Sequence, residues 1–275
     1  MATPQELHSL PAHGLRVSSA GQREAITWQV PEEVAVGLAY NKRPHVVMMA
    51  TPADLEDFAY GFSLTEGLVQ DIADVTDLER LDVPEGVQLS LTVREGALTK
   101  RINDKRGIEG RSGCGLCGIS TLTAAMRPVQ EVSSLRAIPA ASAIMAAYRA
   151  LPEFQPMNRA NRTVHAAALC DIDGNILLCR EDVGRHNALD KLIGAALRAD
   201  LLVQDCFVAM SSRCSYELVA KCAAAGIRTL ATISAPTALA LNSAHAAGMT
   251  LAACAGGSDV AIFSPGEALQ LAAAG

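Results

Sequence analysis

Two cysteines, Cys114 and Cys117, stand in the run Arg111-Ser-Gly-Cys-Gly-Leu-Cys-Gly118. Thiols at this spacing can share a metal, close a small disulfide ring, or pass a sulfur atom between them. Gly113, Gly115 and Gly118 let the backbone take conformations that other residues resist. The segment before them carries Lys100, Arg101, Lys105, Arg106 and Arg111 against Asp104 and Glu109. Such local positive charge favours thiolate, the nucleophilic form. A structural zinc site would need two further ligands, usually a second pair of cysteines or a histidine pair. The other cysteines, at 170, 179, 206, 214, 222 and 254, stand singly. A thioredoxin-type redox pair is expected at a strand-to-helix turn, whereas this pair follows a basic loop. Spacing alone leaves reactive thiols and a metal site evenly balanced.

Three helix starts form the second chemical feature. They are Glu181-Asp-Val-Gly-Arg-His-Asn187, Ser211-Ser-Arg-Cys-Ser-Tyr-Glu217 and Ser234-Ala-Pro-Thr237. Each falls between an expected strand and an expected helix. In an α/β sheet such turns gather outside the strand ends, where ligands bind, and free N–H groups at helix starts favour phosphate. Arg185 and Arg213 add charge; Ser211, Ser212 and Thr237 add hydroxyl donors. Capping alone explains any one of the three. Together, two of them bearing arginine, they point to a phosphorylated ligand. Asp182 is placed to accept from a ligand NH group or from Arg185. His165 sits in an apolar strand pattern and reads as a hydrogen-bonded core residue, and His186 and His245 read alike. Cys170, Cys179, Cys206 and Cys222 read as small apolar packing groups.

The elements that must position these residues follow from periodicity. Residues 16–50 are mainly extended. Thr51 as cap, Pro52 in the first turn and Asp54 completing a capping box open a helix. Leu55, Phe58, Ala59 and Phe62 recur along its face, and Gly67 closes it. Residues 86–94 alternate as a strand, and 96–112 read as a loop. A helix over 140–150 stops at Leu151-Pro152. Apolar runs at 163–170 and 175–180 are joined by the turn Asp173-Gly174. Asn187 opens a helix carrying Leu189, Leu192, Ile193 and Leu197 on one face. Strands at 206–210, 228–233 and 249–253 alternate with helices ending at Gly226 and Gly248. The alternation predicts an α/β layer, partly parallel, with an antiparallel hairpin at its start. A boundary near 110 divides a smaller N-terminal α+β domain (1–110) from an α/β domain (111–275) that begins with the cysteine loop.

Composition narrows the function classes. The chain has 275 residues, half of them apolar, and a net charge of −6, so no basic field advertises nucleic acid. Residues 1–110 hold 10 Lys/Arg against 17 Asp/Glu, and residues 111–275 hold 13 against 12. The second part is therefore the better host for an anionic ligand. Residues 229–258 contain no charged side chain, but Ser234-Ala-Pro-Thr237 and Asn242 break them into strand, turn, helix and strand rather than a membrane span. No basic-then-apolar signal pattern opens the chain. The expectation is a cytoplasmic protein, off the membrane, with reduced thiols.

Several of these segments together resemble the formate dehydrogenase accessory sulfurtransferases. They are Met48-Met-Ala-Thr-Pro-Ala-Asp-Leu-Glu-Asp-Phe58, Gly61-Phe-Ser-Leu-Thr-Glu-Gly67, Ser112-Gly-Cys-Gly-Leu-Cys-Gly118, Glu181-Asp-Val-Gly-Arg-His-Asn-Ala-Leu-Asp-Lys191 and Ala235-Pro-Thr237. The resemblance runs from about Val30 to about Phe263. It implies a cytidine-deaminase-like α/β core with a mixed sheet flanked by helices, a smaller N-terminal region, and a homodimer. It also implies a sulfur carrier that accepts persulfide sulfur from a cysteine desulfurase. The sulfur would go to the molybdenum bis-guanine-dinucleotide cofactor, which formate dehydrogenase requires; a guanine nucleotide such as GDP could substitute as ligand. Cys114 maps to the persulfide carrier and Cys117 to the second thiol. The family's glycine-rich cofactor loop maps to Cys254-Ala255-Gly256-Gly257-Ser258-Asp259. Members usually begin that loop Phe-Ala-Arg, so the arginine is missing here. Their Ser-Gly-Arg turn is Ser211-Ser212-Arg213, which keeps it.

Two other readings compete: a zinc-stabilised nucleotide-binding protein, and an adaptor that only docks the target enzyme. A zinc deaminase needs His-x-Glu followed by Pro-Cys-x-x-Cys. His165 is followed by Ala166 and Ala167, and the cysteine pair precedes it.

Overall fold

A computed structural model describes residues 8–103, 129–132, 138–254 and 259–263. Strands β1 (Ser9–Val17) and β2 (Arg23–Pro31) form an antiparallel hairpin that joins no other sheet among the described residues. Strands β3 (Val34–Tyr40), β4 (Arg43–Ala50), β5 (Val75–Val83) and β6 (Gly86–Val93) form a second sheet in the order β4-β3-β6-β5. Helix α1 (Leu55–Thr65) lies on it. Leu55, Phe58, Ala59 and Phe62 meet Val36, Leu38, Val87, Leu89 and Leu91 in one apolar cluster. Gly67, at φ 65°, closes the helix by donating its N–H to the Leu64 carbonyl.

The start of α1 differs from the expected capping box. The helix begins at Leu55, and Asp54 precedes it in the left-handed region without a side-chain cap. The Thr51 hydroxyl instead accepts from the Val183 N–H, far along the chain.

The third sheet holds β7 (His165–Cys170), β8 (Ile176–Asp182), β9 (Phe207–Arg213), β10 (Thr229–Ser234), β11 (Thr250–Ala253) and β12 (Ala261–Phe263). Their order is β12-β11-β10-β9-β7-β8. β9, β10 and β11 run parallel, and β7 runs antiparallel to both neighbours. β12 adds an antiparallel strand beyond the last one expected. Helix α2 (Ala141–Ala150) gives way after Leu151-Pro152 to a tight turn and the short helix α3 (Pro156–Asn161). Helices α4 (Arg185–Arg198), α5 (Tyr216–Ala224) and α6 (Ala238–Ala246) follow.

Alternation along the strands decides which helix covers which face. Leu189, Leu192, Leu218, Val219 and Ala240 pack with Leu169, Val208, Met210, Leu230 and Leu251. On the opposite face, Ile144 and Ala147 pack on Ala166, Ala168, Ala209 and Ala231. The architecture is therefore mixed α/β, with sheets flanked by helices.

Helix α1 also packs against α4, so it lies between the two larger sheets' layers. The two helices cross at Gly61 and Gly194. A Cβ on Gly61 would run into the Asp190 carbonyl, and one on Gly194 into the Asp57 carbonyl. Beside this crossing, Lys221 of α5 is buried and donates to Asp190 (2.8 Å), Glu66 (3.0 Å) and the Thr65 hydroxyl (3.0 Å). Burial pulls the Lys221 ammonium down, but the Asp190 and Glu66 carboxylates outweigh it and hold its pKa above the ordinary value.

Candidate functional site

Parallel strands put their C-terminal ends on one edge. β9, β10 and β11 end there at Arg213, Ser234 and Ala253. The antiparallel β7 begins and β8 ends there, with His165 opposite Asp182. The fold therefore brings Asp182, Arg185, Ser211, Arg213, Thr237, Cys254 and Asp259 to the same side of the sheet. Cys114, Cys117, Ala255, Gly256, Gly257 and Ser258 lie outside the described residues.

Asp182 is turned inward. One carboxylate oxygen accepts from the Gly184 N–H (2.7 Å) and the Asn187 amide (3.1 Å). The other accepts from the Thr51 N–H (3.0 Å) and pairs with Lys191 (2.6 Å). All four partners belong to this chain, so the carboxylate is spent on the turn that opens α4 rather than on Arg185 or a ligand NH. Ser211 also has a structural bond, accepting from the Ala166 N–H at 2.8 Å; its own proton remains to be donated. The exposed Thr237 caps α6 by accepting from the Ala240 N–H at 3.2 Å.

The charged and orphaned groups lie between the starts of α4 and α5. Neither helix start has a side-chain cap: α4 begins after Gly184 and α5 after Ser215. The Ser215 hydroxyl and the Arg185 Nε are buried without a hydrogen-bond partner among the described residues. Arg213 is exposed, and neither arginine forms an ion pair among the described residues. A buried polar atom with no partner costs about 1–3 kcal/mol, so the arrangement favours a ligand that supplies acceptors. His186, also buried, has an unpartnered Nε2 that lies 3.9 Å from Glu217. Burial, then Arg185 and Lys221, push its pKa down to about 3. Burial and Arg185 likewise lower His165. Both imidazoles are neutral near pH 7.

Ser215 is the residue that the sequence reading passed over; His186, read like His245 as a hydrogen-bonded core residue, is buried with its Nε2 unpartnered, and His245 is exposed. A serine directly before an apolar helix was a visible signal, but its usual capping role hid the unpaired hydroxyl. The His186 orphan depends on α4 and α5 meeting at their starts, which no local pattern encodes.

The thiols at or near the sheet are poor nucleophiles. Burial raises Cys170, Cys179 and Cys214 to about 12, and raises Cys222, Cys206 and Cys254 as well. Cys170 and Cys222 are buried packing groups, as expected, whereas Cys179 and Cys206 are only half-buried. Cys254, half-buried, donates its N–H to the Thr232 carbonyl. Among the described residues, no group of three or more His, Cys, Asp or Glu could hold a metal ion. No described helix is long and apolar enough to cross a membrane.

Residues 31–270 match the model of the FdhD/NarQ family. A protein of Bordetella petrii named sulfur carrier protein FdhD is 43% identical over 243 residues, covering 88% of this chain and 87% of the relative. A protein of the same name from Agrobacterium fabrum is 45% identical over 245 residues, covering 88% and 89%. A solved structure from Desulfotalea psychrophila, assigned as a formate dehydrogenase accessory protein, superposes with a TM-score of 0.71 at 23% identity, over 94% of this chain and 98% of that one. At that identity the structural likeness speaks for the fold.

Proposed function

This chain belongs to the FdhD/NarQ family, and from that premise we propose that it is a sulfur carrier serving formate dehydrogenase. Cys114 takes sulfur from a cysteine desulfurase and delivers it to the molybdenum bis-guanine-dinucleotide cofactor, the substrate at the strand-end edge. In the first step the Cys114 thiolate attacks the terminal sulfur of the desulfurase persulfide. A new S–S bond forms on Cys114, the old one breaks, and the desulfurase cysteine leaves as thiolate. Cys117 is the second thiol of the relay. The reading includes a cytidine-deaminase-like core, a homodimer and a cytoplasmic setting.

One observation carries the recipient side of this reading. Unpartnered donors at Arg185 and Ser215, with the free charge of Arg213, surround two uncapped helix starts at one sheet edge. That donor set fits the diphosphates of a guanine dinucleotide. The thiol side is supported by contrast. Burial keeps the other six cysteines protonated, whereas the basic segment before Cys114 favours thiolate.

The test incubates the protein with a cysteine desulfurase and radiolabelled cysteine. Label that reducing agent removes, present in the parent and absent in Cys114→Ala, is the expected result. Equal labelling of Cys114→Ala would remove that residue from the role. No labelling of the parent, together with zinc at one per chain that is lost in Cys114→Ala, would replace sulfur transfer by the zinc-stabilised alternative.

A further inference from the structure

The hairpin of β1 and β2 is an arm without a cover. Residues directly opposite in an antiparallel pair share a face. The register sets Leu10 opposite Val30, Ala12 opposite Trp28 and Gly14 opposite Ile26. One face is thus an apolar strip, yet Leu10 is 50% exposed and Trp28 42%. Nearer the tip, the other face presents Leu15 at 56% and Val17 at 58%. Among the described residues the arm is tied down near its root: the Trp28 indole donates to the Asn161 carbonyl at 3.3 Å, and the Asn161 amide donates to the Ser9 hydroxyl at 3.1 Å. A two-stranded ribbon is marginal on its own in water, and strands of nine residues reach roughly 30 Å. On the arm Arg16 pairs with Glu24 across the hairpin at 3.3 Å, which leaves the charge of Arg23, on the face of Leu15 and Val17, in excess.

A surface of opposite charge and matching shape lies elsewhere on the chain. Among the described residues β5 is the outer strand of its sheet, with no strand paired to its far edge. It is nine residues long, the length of each arm strand. Asp77, Glu79, Leu81 and Val83 share one face of it, and Leu81 is 61% exposed. Among the described residues, the arm makes no hydrogen bond or ion pair with β5 of its own chain.

We propose that the arm of one copy docks along the β5 edge of a second copy, and that the exchange is reciprocal about a two-fold axis. Strand addition satisfies the open edges, Leu15 and Val17 meet Leu81 and Val83, and Arg23, which shares the face of Leu15 and Val17, lies toward Asp77 and Glu79. The inference deepens the homodimer of the proposed function and is independent of its sulfur chemistry.

Sedimentation of the full chain tests it. Arg23→Glu reverses the arm's charge at the contact, and Asp77→Lys with Glu79→Lys reverses the edge. Each variant alone is expected to dimerise at least tenfold more weakly. Mixed, they should associate again, because both reciprocal contacts then join opposite charges. Leu15→Ser with Val17→Ser should also weaken the dimer with no change of charge, and circular dichroism checks that each variant is folded. A parent that stays monomeric at all concentrations overturns the dimer and the arm together. A dimeric parent whose folded variants dimerise unchanged, or fail to recover on mixing, overturns the arm alone.

Discussion

Asp182 and Lys191 form an ion pair of 2.6 Å in which neither side chain is exposed to solvent. Thr51 completes it from the other side. Its N–H donates to Asp182, and its carbonyl accepts from Lys191 at 2.9 Å. The Asn187 amide also donates to the Met49 carbonyl. The end of β4 is therefore stapled to the turn that opens α4, and the N-terminal sheet helps to position Arg185 and His186. Truncating one partner of a buried pair leaves the other charge uncompensated, at about 3–5 kcal/mol. Lys191→Met should lower stability by that order in urea unfolding. The double variant with Asp182→Asn should recover part of it. A Lys191→Met protein as stable as the parent would refute the role of the pair.

The crossing of α1 and α4 sets a second expectation. Gly61 and Gly194 each lie against a carbonyl of the facing helix, so a methyl group there must push two backbones apart. Overpacking of this kind costs about 1–3 kcal/mol, occasionally more. Gly61→Ala should lower the melting temperature by several degrees or more. Gly96→Ala, at a glycine with open space around it, should not act through packing and gives the comparison for backbone strain alone.

Much of this architecture was legible locally. The period of Leu55, Phe58 and Phe62 marked α1, and the alternation of Val87, Leu89 and Leu91 marked β6. The edge strand β5 was not, because Val75–Val83 mixes Asp77, Glu79, Arg80 and Asp82 with its apolar residues and slips register near Val75. Thr51 read as a helix cap because serine and threonine usually serve nearby backbone. Its partners here are Asp182, Val183 and Lys191, which only the tertiary fold brings near. Asp182 read as a ligand contact for the same reason. The helix starts were visible as a set, but their unpartnered atoms were not, since satisfaction depends on what packs across from them.

Acid should weaken the fold through His186. Its folded pKa of about 3 lies below the ordinary value of 6.5, so the unfolded chain binds the proton more readily. Stability from this neutral imidazole is complete above about pH 6.5 and is lost as pH falls toward 3. The expected loss is a few kcal/mol at most. Unfolding free energies of the parent should therefore fall between pH 7 and pH 4 more steeply than those of His186→Gln. Parallel curves would show that His186 does not couple folding to pH.

Ser215 separates stability from binding. Its buried hydroxyl has no partner among the described residues, so it destabilises the protein without ligand. Ser215→Ala removes that penalty, and its apparent stability should be unchanged or higher by about 1 kcal/mol. Under the proposed function the same hydroxyl donates to a diphosphate, so the variant should bind GDP several-fold more weakly by calorimetry, while guanosine shows no such difference. Arg213→Ala gives the contrast. That side chain is exposed, so stability should hardly move, while GDP binding weakens and loses part of its salt dependence. A Ser215→Ala protein that is destabilised, with GDP affinity intact, would mean that the hydroxyl is satisfied within the fold and faces no ligand.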